Sequence, residues 1–184
     1  MKTYLLVAMS VDGFIAKDLN TPSTSWTSKA DRKFFQKKSK ELKVIVMGEK
    51  TYKTFNKPLK ERINIIYTHS KQKLRDFDIE KISVQGGTAL YYTDLQPKKL
   101  LTFLSSKGFQ TVAICGGQTI YSLFMREGLV NYLYLTMENK IFGQGLKLFN
   151  CDLDVIIKLL KMQELDSGVL VLKYEVERKK KSVI

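Results

Sequence analysis

Cysteine, histidine, tryptophan and proline are all scarce in this 184-residue chain, which holds two, one, one and three of them. Two cysteines, Cys115 and Cys151, cannot build a disulfide framework, and with His69 as the single histidine they make no zinc site. Ser–His–acid catalysis is excluded except through His69, which stands in no companion motif. Cys115 closes an apolar run, so a buried thiol is favoured over a nucleophile. No apolar run is long enough to cross a bilayer, and the first residues lack the charged–apolar–small order of a secretory signal. The expected location is therefore the cytoplasm. There is no G-x-G-x-x-G, and Gly48-Glu49-Lys50-Thr51 lacks the upstream glycine of a P-loop. Acidic residues are also few, 18 against 31 basic ones, for a net charge of +13. That excess favours anionic partners. It is diffuse, however, and no aromatic-rich basic motif of a nucleic-acid module accompanies it. Steering or solubility comes first, and nucleic acid is the lesser reading.

What remains is ordinary globular material, 44% apolar and 27% charged. One domain over residues 1–177 is expected, with a basic tail over 178–184. The continuous apolar run at 4–9 reads as a strand buried on both faces, 44–47 and 111–115 as buried strands, and 63–67 and 132–136 as further strands. Helical spacing appears from Ser28 to about Leu42, from Pro97 to Lys107, and around Ile120, Tyr121, Phe124 and Met125. A short helix follows Gly48, Ile82–Val84 reads as one more short strand, and Lys71–Lys81 as a charged surface connection. The alternation predicts an α/β fold with a mainly parallel sheet. Residues 155–165 fit strand or helix; with 169–176 they are read as an antiparallel hairpin appended to the sheet. Monomer and homodimer both remain open.

The stretch Ser25–Phe35 is the unusual one. It holds the only tryptophan, Trp26, and then Ser28 and Asp31 at capping-box spacing. A helix starting there puts Asp31 on one face with Phe34 and Phe35, so the carboxylate looks inward. A buried carboxylate needs a partner, and a ligand that donates hydrogen bonds is one. The plainer alternative is that Asp31 only completes the cap.

Two strand ends share a design. The run at 44–47 meets Gly48, and that at 111–115 meets Gly116-Gly117, each just before a helix. Glycine lets backbone approach a ligand closely, and helix N-termini favour anions. Both sites fall at the carboxyl ends of strands, where ligands of open α/β sheets bind. A phosphorylated cofactor across the two helix starts is the functional reading.

Taken in order, Val7-Ala8, Trp26 with Asp31, Val46-Met47-Gly48-x-x-Thr51, Pro58-Leu59 with Arg62, Gly116-Gly117 with Tyr121, and Tyr134-Leu135-Thr136 resemble the dihydrofolate reductases over nearly the whole chain. Ser10–Ala16 also resembles the related reductase domain of riboflavin biosynthesis. The resemblance implies a three-layer fold and reduction of 7,8-dihydrofolate to tetrahydrofolate by NADPH. It implies that Asp31 binds the pterin and assists protonation of N5, that Thr136 holds Asp31, and that Trp26 and the 17–24 loop close over the nicotinamide. Phe35 and Phe55 would flank the substrate rings, Arg62 would take the glutamate carboxylate, and Ala8 and Cys115 would touch both ligands. The cofactor would lie against Ile15, Gly48, Lys50, Thr51, Thr68, His69 and Ser70, and against Gly116, Gly117, Gln118, Thr119 and Tyr121.

The chain also departs from that pattern. Glu49 stands where the family has a basic residue for the 2′-phosphate, which leaves NADH open; Lys50, Ser70 and Lys71 are the compensating candidates. Gln118 replaces a third glycine. Trp26 could be plain core, Arg62 a surface ion pair, and Thr136 a strand filler. Two rivals follow: a reductase of a ribosylated aminopyrimidine phosphate, and a basic nucleic-acid-binding protein on a reductase fold.

Overall fold

The computed structural model describes residues 1–76, 79–83 and 87–177. The elements run β1 (Lys2–Ser10), β2 (Phe14–Ala16), α1 (Lys29–Leu42), β3 (Val44–Gly48), α2 (Glu49–Lys53), β4 (Ile63–Tyr67), α3 (Lys71–Asp76) and β5 (Ala89–Thr93). Then come α4 (Pro97–Ser106), β6 (Thr111–Ile114), α5 (Gln118–Arg126), β7 (Tyr132–Glu138), β8 (Leu146–Lys147), β9 (Ile156–Glu164) and β10 (Leu170–Glu177).

Eight strands form one sheet in the order β5-β4-β3-β6-β1-β7-β10-β9. The first six in that order are parallel, and β10 and β9 close the sheet antiparallel to their neighbours. The uninterrupted apolar runs follow from burial on both faces, since successive side chains of a strand point to opposite sides. Leu5, Val7, Val44, Val46, Val112 and Ile114 pack with Leu100 and Leu104 of α4 and Phe124 of α5. Leu6, Ile45, Met47, Ala113 and Cys115 pack with Leu42 of α1 and with Phe35 and Phe55. The result is the expected three layers, with α1 on one face and α4 and α5 on the other.

Two expectations change, and the hairpin at the C-terminal end is as expected. The connection at Lys71–Lys81 contains α3 and a 3₁₀ turn over Ile79–Lys81. Ile82 and Ser83 are in no strand: the Ile82 N–H donates to Ile79 O, finishing that turn. The strand expected at Ile82–Val84 lies instead at Ala89–Thr93, which pairs residue for residue with β4. Val84, Gly86 and the basic tail lie outside the described residues. The ambiguous stretch at 155–165 is a strand, and all nine residues of β9 are exposed. Its pairing with β10 skips one residue at Leu160, a β-bulge. No helix among the described residues is long and apolar enough to cross a membrane.

A second, two-stranded sheet, β2 with β8, covers the end of β1. It depends on Gly145, where an added Cβ would lie 2.4 Å from the Ala16 carbonyl oxygen. Backbone cannot yield as a flexible side chain can. Gly145→Ala is therefore expected to lower stability by about 2 kcal/mol, read as a fall in the thermal midpoint.

Candidate active site

The carboxyl ends of β1, β3, β4 and β6 open into one cleft of about 1040 Å³. That is the upper end of single-ligand pockets, with room for a second molecule. Its position at the strand ends is the one the open-sheet rule predicts.

Asp31 sits in the wall of this cleft, and its residue is 8% exposed. Ser28 caps α1, its hydroxyl accepting from the Asp31 N–H at 3.0 Å. The reciprocal bond of a capping box, in which the third helical residue reaches back to the cap N–H, is absent from Asp31. Glu138 supplies it: its Oε1 accepts from the Ser28 N–H at 2.8 Å and from the Ser28 hydroxyl at 2.9 Å. The Asp31 carboxylate is left to the cleft. Burial is the main cause raising its pKa to about 6; Glu138 adds to the rise, while hydrogen bonds from Thr136 and Thr27 and the Arg32 charge oppose it.

Thr136 and Glu138 are two apart on β7, so they share a face, and both are buried. One strand thus grips the first turn of α1 twice, at Asp31 and at Ser28. Glu138 was missed in the sequence. The pattern Thr-x-Glu at strand period, opposite Ser-x-x-Asp at a helix start, is the trace it leaves.

Most of the expected residues converge here. Ala8, Ile15 and Phe35 line the cleft, as do Cys115 and Tyr121. Gly48, Lys50, Thr51, Thr68 and His69 line it from the β3 and β4 ends, and Gly116, Gly117, Gln118 and Thr119 from the β6 end. The two glycine-bearing ends touch, because Gly48 N–H donates to Gly116 O at 2.8 Å. At Gly117 a Cβ would lie 3.0 Å from Thr51 Oγ1, and Gly116 has φ +119°. Backbone conformation thus demands glycine at Gly116, while a side chain at Gly117 would press on Thr51. Gly117, the N-cap of α5, offers no capping side chain, so the first-turn N–H groups are not met from that position. The Tyr121 hydroxyl is tied to Leu6 O at 2.7 Å, locking α5 to β1.

Others fall elsewhere. Ser70 is not in the lining; its carbonyl and hydroxyl accept from Leu74 N–H and Lys73 N–H at the start of α3. Phe55 stands behind Phe35, rings parallel at 6.1 Å. Trp26 is buried and meets Phe142 edge-on at 4.9 Å, while the neighbouring loop, Asp18–Thr24, lines the cleft directly. Asp12 accepts from the Phe142 and Gly143 N–H groups, so Trp26 packs on a loop already pinned to the β1–β2 turn.

Arg62 is 1% exposed and outside the lining. Its Nη2 donates to Gln36 Oε1 at 2.5 Å, and among the described residues its Nε and Nη1 have no partner. Glu49 is in the lining but occupied. Its Oε2 accepts from the Thr68 hydroxyl at 2.7 Å and its Oε1 from Lys73, with Lys53 at 3.7 Å. The Lys73 and Thr68 bonds hold its carboxyl below the usual range.

The chain is similar to known proteins in sequence and in fold. The family model described as dihydrofolate reductase matches residues 2–150. A Caenorhabditis elegans protein named "Putative dihydrofolate reductase" is 28% identical over 169 residues, covering 86% of this chain and 82% of that protein. Among solved structures, the Enterococcus faecalis dihydrofolate reductase complexed with NADP(H) superposes with a TM-score of 0.66 at 17% identity, covering 96% of this chain and 97% of that one. The Thermotoga maritima diaminohydroxyphosphoribosylaminopyrimidine deaminase/5-amino-6-(5-phosphoribosylamino)uracil reductase gives 0.72 at 17% identity, over 95% of this chain and 56% of that one.

Proposed function

The chain belongs to the dihydrofolate reductase family, and from that premise we propose that it reduces 7,8-dihydrofolate to tetrahydrofolate with NADPH. The observation that carries the reading is Asp31, a buried carboxylate in the wall of the cleft, held by Thr136 and relieved of its own helix cap. When bound, the nicotinamide supplies the hydride. The protein's own task is to bind, dry and protonate. Asp31 takes hydrogen bonds from the pterin's amino group and ring N–H, and stabilises positive charge as N5 gains a proton. With its pKa near 6 it is part-protonated close to neutrality, as proton delivery requires. Phe35 stacks beside the ring, Asp18–Thr24 excludes water, and Ala8 and Cys115 pack at the meeting of the two ligands.

The residues present fit a nicotinamide dinucleotide. Gly116, Gly117, Gln118 and Thr119, at the start of α5, are suited to the pyrophosphate; Lys50, Thr51, Thr68 and His69 to the ribose phosphate; Ile15 and Tyr121 to the nicotinamide end. Glu49 argued for NADH in the sequence. Its engagement by Lys73, Lys53 and Thr68 removes most of its repulsion for a 2′-phosphate, and Lys50 beside it favours NADPH. The test is spectrophotometric. With dihydrofolate, oxidation of NADPH should exceed that of NADH at least about 10-fold in kcat/KM. Oxidation of neither cofactor would end the folate reading.

A second reading has its own support. Arg62, the residue suited to the folate carboxylate, is turned to Gln36 and lies outside the lining. A ribosylated aminopyrimidine phosphate has no such carboxylate, so that substrate belongs in the same assay.

A further inference from the structure

Ser28 has two hydrogen-bonding groups and the two carboxylates nearby have unequal claims on them. By helix geometry the claim of Asp31 is the natural one: it is the third residue of α1, where a capping-box acid reaches back to the cap N–H. Had it done so, its carboxylate would be spent on the helix end. Glu138, 2% exposed at the last position of β7, is there instead and takes both the N–H and the hydroxyl of Ser28. The hydroxyl's lone pair still accepts from the Asp31 N–H, so the cap is fully satisfied without the Asp31 side chain. A buried acid at a strand end is costly to desolvate and needs a reason beyond packing.

We propose that Glu138 is a positioning residue for the reaction: it takes over the capping duty of Asp31, leaving that carboxylate free to face the substrate with a second negative charge beside it. This rests on Asp31 being the proton-delivering group. The effect on Asp31 has two parts. Withholding the Ser28 N–H denies its charged form a hydrogen bond, and the neighbouring charge disfavours ionisation further. The other groups acting on Asp31 are Thr27 and Arg32 beside it, Thr136 on β7 and the buried Tyr121 on α5. Glu138→Gln alters none of these groups themselves, whereas Glu138→Ala also frees the Ser28 N–H for Asp31.

Two variants separate the parts. Glu138→Gln keeps an acceptor for Ser28 and removes the charge; Glu138→Ala removes both and lets Asp31 turn back to its own cap. The direct readout is carboxyl ¹³C NMR titration of Asp31 in the full chain, with Asp31→Asn to assign the resonance. It needs no turnover, so it stands whether or not dihydrofolate is the substrate. The midpoint should fall by about half a unit in the glutamine variant and about one unit or more in the alanine variant. With the substrate that the wild type turns over, kcat near pH 7 should drop about 10-fold in the alanine variant with cofactor KM unchanged, and glutamine should recover most of the loss. Identical midpoints in the wild type and both variants would overturn the proposal, whatever the thermal midpoints do. Alanine and glutamine variants that titrate and turn over alike would also overturn it, because the cap would then not matter.

Discussion

Asp31→Asn is expected to lower turnover of dihydrofolate at pH 7 by about 100-fold or more, the usual reach of general acid–base catalysis. Cofactor affinity should change little. The loss should shrink as pH falls, because substrate then arrives already protonated at N5. Wild-type turnover should itself decline as pH rises through about 6, where Asp31 gives up its proton. Rates across pH 5–9 for both proteins check this, and near-normal activity of the variant at pH 7 would reduce Asp31 to a helix residue.

The same substitution should stabilise the fold, in a pH-dependent way. The folded-state pKa of Asp31 is raised from 3.8 to about 6, chiefly by burial. A raised pKa means that the folded state binds the proton more tightly than the unfolded chain. The stability associated with that proton is fully present below pH 3.8 and is lost as pH rises through about 6. A shift of this size corresponds to about 3 kcal/mol. Asparagine carries no such penalty, so its advantage over wild type should grow by about that amount between pH 4 and pH 7 and then level off. Denaturant midpoints at several pH values measure it; a pH-independent difference would contradict the assignment. A residue that costs stability where it works is what a functional site predicts.

Arg62 carries the second large expectation, since it decides between substrates. If the glutamate carboxylate of folate reaches its unpartnered Nε and Nη1, Arg62→Ala should raise the KM for dihydrofolate roughly 10- to 100-fold, the worth of a charge-assisted pair. Arg62→Met, which keeps most of the stem's volume, should do the same. It thereby separates ligand binding from a packing loss of this buried side chain. An unchanged KM in both variants would remove the folate tail from the site and favour the aminopyrimidine phosphate.

The sheet was legible wherever burial on both faces wrote an unbroken apolar run, as at 44–47 and 111–115. Helix α1 was legible from its cap, and the structure begins it at Lys29 with Ser28 as N-cap. Ala89–Thr93 was not, because Tyr91, Tyr92 and Thr93 alternate no clear pattern and the strand exists through its pairing with β4. The site divides in the same way. Asp31 was readable from its spacing after Ser28 on an apolar helix face, and Gly48 and Gly116-Gly117 from their place between an apolar run and a helix. Glu138 was invisible because its meaning depends on a contact with Ser28 across 110 positions of sequence. The readings of Trp26 and Arg62 needed packing that no local pattern holds.

Among the described residues, strand β9 ends the sheet as an open row of backbone donors and acceptors, with Ile156, Leu159 and Met162 exposed along it. Such an edge is a template on which identical chains can stack. Lys158 and Lys161 interrupt it. In an in-register stack, copies lie about 4.8 Å apart, and each lysine would face its own image at that spacing. Like charges held so close repel, and the bulge at Leu160 bends the strand out of the flat form that stacking requires. The two lysines and the bulge act against growth of a fibre, on an edge that lines no part of the cleft at the other strands' ends.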